Sequence, residues 1–396
     1  MTREERQLRY EQRMRQKAIE NAAKEAGRGP IDLPFLLLTL LLTGVGLIML
    51  FSASFPMAYY ETGNPAYYLI RQGVFAAMGV AAMLVIGGIN YERYRVAGKY
   101  VLAVSIALLI LVLIPGIGIE VNHARRWLGV GETFRFQPSE IAKIGVILYF
   151  ADSISKKKDR MSTFRYGILP YAVILGVIAF LMYQEPHLSG TVLILGIGAV
   201  MMFVGGIRLY WVAAGAGLAG VGAWAYLAGK ISYNSARIQI WRDPLTTDPN
   251  LMQDAAYQMR QSLLAVGSGG LLGVGLGQSR QKFMYLPERH NDFIFAVICE
   301  ELGLIGATLI MALFALLIIR GYWIALHARD RFGALLAVGV TTQVALQTFL
   351  NIAVVSNLIP NTGISLPFFS YGGTALVIQL AEMGLVLSVS RQMPPS

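Results

Sequence analysis

The sequence predicts an all-α integral membrane protein with about ten transmembrane helices and one large structured loop on the extracytoplasmic side. Three observations carry this. Of the 396 residues, 55% are hydrophobic and 14% charged, whereas a soluble domain carries about 25% charged residues. Mean hydropathy is +0.55. The charges gather between apolar runs of about 17–25 residues, the length a helix needs to cross about 30 Å of hydrocarbon. The 42 glycines suit helices that pack closely in lipid.

The runs place spans at about 33–55, 68–89, 99–116, 138–154, 167–183, 188–205, 209–228, 293–320, 333–356 and 373–390. A basic tail, 1–32, precedes them, a membrane domain occupies 33–391, and a short tail, 392–396, follows. With the first tail inside, Arg93, Arg95, Lys99, the run Lys156 to Lys158, Arg160, Arg165, Arg208, Arg320, Arg329, Arg331 and Arg391 all fall on the cytoplasmic side. With the tail they make up most of the 33 Lys and Arg. The positive-inside rule therefore sets both termini in the cytoplasm. The opposite orientation would put the lysine run outside.

The same distribution accounts for the net charge of +10 without a nucleic-acid partner. The first tail is charged throughout and lacks the apolar core of a signal peptide. It reads as a helix on the membrane surface or free in the cytosol. Cys299 is the single cysteine, which excludes an intrachain disulfide and a cysteine metal cluster.

This topology leaves residues 229–292 outside, too long for a simple turn. The segment holds a polar start, an amphipathic stretch (DAAYQMRQSLLAVG), a glycine-rich patch (GSGGLLGVGLG) and then QSRQKFMYLPERHND. Long structured loops in compact proteins are often functional. No strand precedes GVGLG, so it is not a dinucleotide fingerprint; it predicts tight-turning or re-entrant backbone near the membrane surface.

Ionisable groups near a bilayer mark function or a paired contact. The candidates are Glu140 and Lys143 in FQPSEIAKI, Glu185 and His187 in QEPHLSG, Asp292, Glu300, Glu301 and Glu382. Glu140 and Lys143 share a helix face at i, i+3, behind Pro138 in a first turn and the polar Ser139. They form either a simple ion pair or the charged wall of a headgroup cavity. Asp292 precedes the eighth span and follows Lys282, Arg289 and His290. A helix N-terminus and nearby cations favour its carboxylate, so it is either an N-cap or a catalyst. Arg125, Arg126, Lys143, Lys282 and Arg289 could gather round a phosphate. NLIPNTGISLPFFSYGGTAL, between the last two spans, is a helix–helix turn or another cavity wall.

These segments carry a resemblance. RRWL with FQPSEIAKI, SGGLLGVGLGQSRQKFMYLPERHNDFIFAVICEELGLIGA and IPNTGISLPFFSYGGTAL resemble the RodA/FtsW family, also called SEDS proteins, through most of the membrane region. FSAS at 51–54 and the last motif look closer to the FtsW and sporulation branch. The resemblance implies a peptidoglycan glycosyltransferase at the outer face of the bacterial cytoplasmic membrane. It would polymerise lipid II during division, elongation or sporulation, beside a class B penicillin-binding transpeptidase and other divisome or elongasome proteins. The family's catalytic aspartate maps to Asp292. Its cavity residues map to Glu140 and Lys143; Arg126, Gln137, Ser139, Lys282, Arg289 and Ser370 join them as expected substrate contacts. Two positions depart from the pattern: Asn291 stands where Thr is common, and QEPHLSGT puts His187 near a usual Asp.

The chemistry fits. A hydroxyl attacking an anomeric carbon needs a base within hydrogen-bond reach. An inverting transfer can use one carboxylate for this, as inverting glycosidases do for water. The departing diphosphate needs cations or a metal. No motif fixes a metal site or demands a cofactor; Mg²⁺ or Mn²⁺ is the candidate ion. Two other readings compete. A flippase for the same lipid would place coupling sites and broken helices near the midplane, whereas the polar motifs lie at outer ends. A non-catalytic division scaffold would survive loss of Asp292.

Overall fold

The computed structural model describes residues 29–121, 124–130, 134–208, 210–211, 213–215, 217, 239–245 and 255–393. Most of the basic tail, most of the seventh expected span and residues 229–238 and 246–254 of the long loop lie outside the described residues. The described helices are α1 (Leu33–Thr62), α2 (Tyr67–Gly88), α3 (Tyr94–Leu113), α4 (Pro138–Lys157), α5 (Leu169–Gln184), α6 (Leu188–Val204), α7 (Ala255–Ser268), α8 (Ile294–Leu326), α9 (Arg331–Val355) and α10 (Gly373–Ser390).

Among the described residues, seven helical segments are long and apolar enough to cross a membrane. Two further expected spans are helical but fall outside that description. The fourth, α4, carries Glu140, Lys143, Asp152 and two terminal lysines. The sixth, α6, has 17 residues. The protein is a multi-pass membrane protein. Helix starts follow local chemistry. Asp32 caps α1 by accepting from the Phe35 amide at 2.9 Å. Asp330 caps α9 by accepting from the Gly333 amide at 2.8 Å. Gly63, left-handed at φ 71°, ends α1.

Burial sorts the helices into centre and periphery. In α9 and α10, 72% and 67% of the most apolar window is buried, against 22% in α2. The exposed Leu, Val and Phe of the outer helices suit lipid, which gives apolar helices no hydrophobic reason to associate. Packing and polar contacts must do that work. α2 packs along α10, α3 along α4, and α9 touches α4, α6, α8 and α10. One end of the bundle is tied by ion pairs: Arg320 with Asp32 at 2.7 Å, and Arg95 with Asp330 at 3.2 Å. Asp330 also accepts from the Tyr91 hydroxyl at 3.0 Å.

Two features depart from the expected pattern. Between α3 and α4 the chain forms an antiparallel meander of β1 (Ile119–Val121), β2 (Ala124–Val130) and β3 (Phe134–Phe136), with Leu128 opposite Phe136. β1 and β3, of three residues each, leave little periodic signal, and the seven-residue β2 (ARRWLGV) does not alternate cleanly.

The second departure is a break in α8. Gly303 sits at φ 65°, ψ −168° inside it, so the helix is two pieces end to end. The glycine-rich loop fills the cut. The amides of Val274 and Gly275 donate to the carbonyls of Glu300 and Glu301 at 2.9 and 3.0 Å; those of Leu304 and Ile305 donate to Gly270 and Leu271 at 2.9 and 3.1 Å. Backbone groups orphaned by the break are thus satisfied within the protein, as a membrane interior demands. A Cβ at Gly303 would collide with the Gly273 amide and the Leu271 carbonyl, and a Cβ at Gly273 with Glu301. The glycine-rich patch is therefore tight-turning backbone inserted into a helix, as its composition suggested.

Candidate functional site

The other end of the bundle gathers the polar groups. Asp292 lies in a turn two residues before α8. The cap position is Phe293, which makes no side-chain cap bond, so the N-cap alternative for Asp292 does not hold. The Asp292 carbonyl accepts from the Asn351 amide at 2.8 Å. Its carboxylate is half-buried, and a Cβ on Gly363 (φ 68°) would lie 3.2 Å from Oδ2, so bare backbone passes against the acid. Burial, helped by the charge of Glu288, pushes the carboxyl up to about 7, while Arg126 pulls the other way. A carboxyl poised near neutrality can hold and release a proton at working pH.

Strand β2 carries Arg126 towards this region. Its guanidinium donates to the carbonyls of Glu185 (3.2 Å) and Pro186, and its charge acts on Asp292, Glu185 and His187. Gln137, the residue before α4, places its amide 3.3 Å from both ring nitrogens of His187. Burial, then the charges of Arg126 and Lys143, depress His187 to about 3, so it stays a neutral imidazole. Glu185 is fully buried, neither carboxyl oxygen has a bonding partner, and burial raises it to about 8. Nearby on α4, the expected pair forms: Lys143 Nζ lies 2.7 Å from Glu140, with Lys143 3% exposed. Ser139 is buried beside it with its hydroxyl unbonded.

Glu140 opens into a small cleft, which Ser370, Tyr371, Gln347 and Gln379 also line. Ser370 ties this cleft to the acid. Its hydroxyl donates to the carbonyl of Asn291 at 2.8 Å and accepts from the Leu366 amide at 2.7 Å. Below the cleft, Gln343 of α9 donates to the fully buried Glu382 of α10.

The structure therefore brings together Asp292, Arg126, Gln137, Ser139, Glu140, Lys143 and Ser370. Three expected cations point elsewhere. Lys282 is 0% exposed; its ammonium pairs with Glu301 at 2.8 Å and donates to Ser52 at 3.2 Å. Ser52 belongs to the FSAS segment and also donates to Glu301. Glu300 accepts from Ser279 and from the Arg280 amide at 2.9 Å. Glu300 and Glu301 thus clasp the loop that fills the broken helix, and Lys282 completes the clasp. Arg289 donates to the Leu286 carbonyl at 3.2 Å and lies near Glu61 and Tyr68. Arg125 pairs with Glu120 at the surface. Sequence reasoning missed Gln347, Asn351 and Gly363. A signal existed for the first two: Gln343, Gln347 and Asn351 recur every four residues within an apolar span.

Among the described residues no three His, Cys, Asp or Glu side chains are grouped to hold a metal ion. A divalent cation here would need most of its ligands from phosphate and water, as Mg²⁺ commonly takes them.

Comparison with known proteins places this arrangement in a family. A family model described as cell cycle protein, named for FtsW, RodA and SpoVE, matches residues 33–394. Stage V sporulation protein E of Bacillus subtilis is 43% identical over 366 residues, covering 91% of this chain and 97% of that protein. A probable peptidoglycan glycosyltransferase FtsW of Geobacter sulfurreducens is 41% identical over 363 residues, covering 91% and 95%. Among solved structures, one chain of a peptidoglycan synthase complex, studied for its coordination of polymerization and crosslinking, superposes with a TM-score of 0.74. It is 26% identical, with 91% of this chain and 98% of that chain covered. The Thermus thermophilus rod shape determining protein RodA gives a TM-score of 0.67 at 27% identity, covering 93% and 99%.

Proposed function

This chain belongs to the FtsW, RodA and SpoVE family of cell cycle proteins and is a peptidoglycan glycosyltransferase; on that premise we propose that Asp292 is the base with which it lengthens glycan strands from lipid II. The observation that carries this is the half-buried carboxyl, pushed up to about 7 and abutted by the Gly363 backbone. In the reaction, a sugar hydroxyl attacks the anomeric carbon of the lipid-linked sugar. Its proton passes to Asp292, the new glycosidic bond forms, and the bond to the lipid diphosphate breaks with its electrons on the diphosphate. Arg126 and Lys143 are the cations for that departing charge. Gln137, Ser139, Glu140 and Ser370 shape the cleft beside it.

The substrate's lipid keeps its tail in the bilayer, so the site sits at an interface. The charge distribution in the sequence favours the outer one, with both termini in the cytoplasm. The assembly around the related chain suggests the partner, a class B penicillin-binding transpeptidase that would crosslink the strands. The break in α8, a feature a transporter reading would claim, has four of its backbone groups, those of Glu300, Glu301, Leu304 and Ile305, bonded to the glycine-rich loop rather than left to a coupling ion.

Reconstitution of the purified protein with lipid II, with and without a transpeptidase partner, tests the reading through glycan chain length. Lys143→Ala and Arg126→Ala should raise the KM for lipid II about tenfold or more while the protein stays folded. Wild-type polymerisation by both variants at limiting lipid II would remove the diphosphate role.

A further inference from the structure

We infer that Asn351 is a positioning residue for Asp292: from the centre of the bundle its amide fixes both the acid's main chain and the glycine turn that limits the carboxylate. This rests on the reading of Asp292 as the base.

The polar face of α9 runs Gln343, Gln347, Asn351 at intervals of four, so the three stand one above another on the most buried helix. Each serves a different element. Gln343 bonds Glu382 on α10, and Gln347 donates to the Ser365 carbonyl at 3.1 Å and its hydroxyl at 3.2 Å. Asn351 is 0% exposed, and its two amide hydrogens go to two different main-chain carbonyls. One is that of Asp292 at 2.8 Å; the other is that of Ile364 at 2.7 Å.

The second bond matters as much as the first. Ile364 follows Gly363, whose backbone passes beside the Asp292 carboxylate. One side chain therefore sets where the acid begins and where its limiting wall stands. Asp292 lies in a turn and Ile364 in irregular chain, both outside any helix or strand ladder that could hold them otherwise. The neighbouring carbonyl of Asn291 is held by Ser370 at 2.8 Å, so two successive peptide groups are pinned from opposite elements, α9 and the 356–372 connection.

A base must meet the attacking hydroxyl within hydrogen-bond distance, and a displacement of about 1 Å can cost about a hundredfold in rate. Loss of the amide frees the acid's position without removing a group that touches substrate. The effect should therefore fall on kcat and spare KM.

The test uses the full-length protein reconstituted with lipid II. Asn351→Leu keeps the size and removes both donors; Asn351→Asp keeps the shape and sets an acceptor against two carbonyls. Folding is read from thermal unfolding and gel filtration in detergent, and Asp292→Asn is assayed alongside. Both Asn351 variants should fold and lose about 10–100-fold in kcat, with the KM for lipid II within about twofold of wild type. A folded variant with wild-type kcat, or a loss confined to KM, overturns the proposal. So does failure of both variants to fold, which would make Asn351 a strut. Activity in Asp292→Asn would instead remove the base reading itself and the proposal with it, whereas an inactive Asp292→Asn beside active Asn351 variants removes the proposal alone.

Discussion

Replacing Asp292 with asparagine separates chemistry from scaffolding. Asparagine keeps the size and the planar head and loses the proton acceptor. A general base contributes about 10²–10⁴ in rate, so kcat should fall by that factor. The pH profile gives a second measure. With the carboxyl at about 7, roughly a tenth is ionised at pH 6 and nine-tenths at pH 8. Polymerisation should therefore rise about tenfold across that interval and level off above it, and the rise should vanish in Asp292→Asn.

Stability should move the other way. The folded-state value lies above the ordinary carboxylate range, so the folded protein holds this proton where the unfolded chain has released it. The contribution is present below about pH 4 and lost as pH climbs to 7. The loss is at most about 4 kcal/mol, and smaller because the carboxylate is part-exposed. Asp292→Asn should thus be as stable as wild type at pH 8, or more so, by thermal unfolding in detergent. A folded Asp292→Asn protein that still polymerises within a few-fold of wild type, or keeps the pH rise, would refute this reasoning.

Other perturbations test other joints. Lys282→Met strands Glu301 in a buried site and should cost about 3–5 kcal/mol in thermal unfolding, with Lys282→Met/Glu301→Leu recovering much of it; a normally stable Lys282→Met with a raised KM for lipid II would return the lysine to the substrate. Gly303→Ala and Gly273→Ala push a Cβ into the opposing backbone and should each cost about 2–3 kcal/mol or more, visible as a lowered melting temperature. In a variant without Cys299, Ser268→Cys should react with a membrane-impermeant thiol reagent from outside and Lys157→Cys should not, since the basic loops mark the cytoplasmic side; the reverse pattern would invert the topology.

The parts of the site legible in the sequence were those whose spacing is local. Glu140 and Lys143 sit one turn apart, and their pairing follows from helix geometry alone. Asp292 stands at the mouth of a long apolar run, where a carboxylate must either cap or act. What escaped notice depends on contacts distant along the chain. Lys282 read as a free cation because its partners, Ser52 and Glu301, are 230 and 19 residues away. The cut in α8 hung on one glycine, two residues past Glu301 in a long, mainly apolar run. It became necessary only when a second segment, more than 25 residues upstream, occupied the gap. The meander before α4 escaped because two of its strands have three residues, too few to show alternation, and the seven of β2 (ARRWLGV) do not alternate cleanly.

The joint between the broken helix and the glycine-rich loop has a practical use. Across the cut it is made by main chain, and the side chains that clasp it, Ser279 and Lys282, come after the glycine-rich turn, so the leucines of the turn are bystanders to it. Leu272 is 79% exposed and Leu271 68%, although the Leu271 carbonyl helps to close the seam. A fluorophore or spin label at residue 272 would therefore ride on the inserted segment without entering the seam. It would report whether insert and helix move as one body while a glycan strand is being extended.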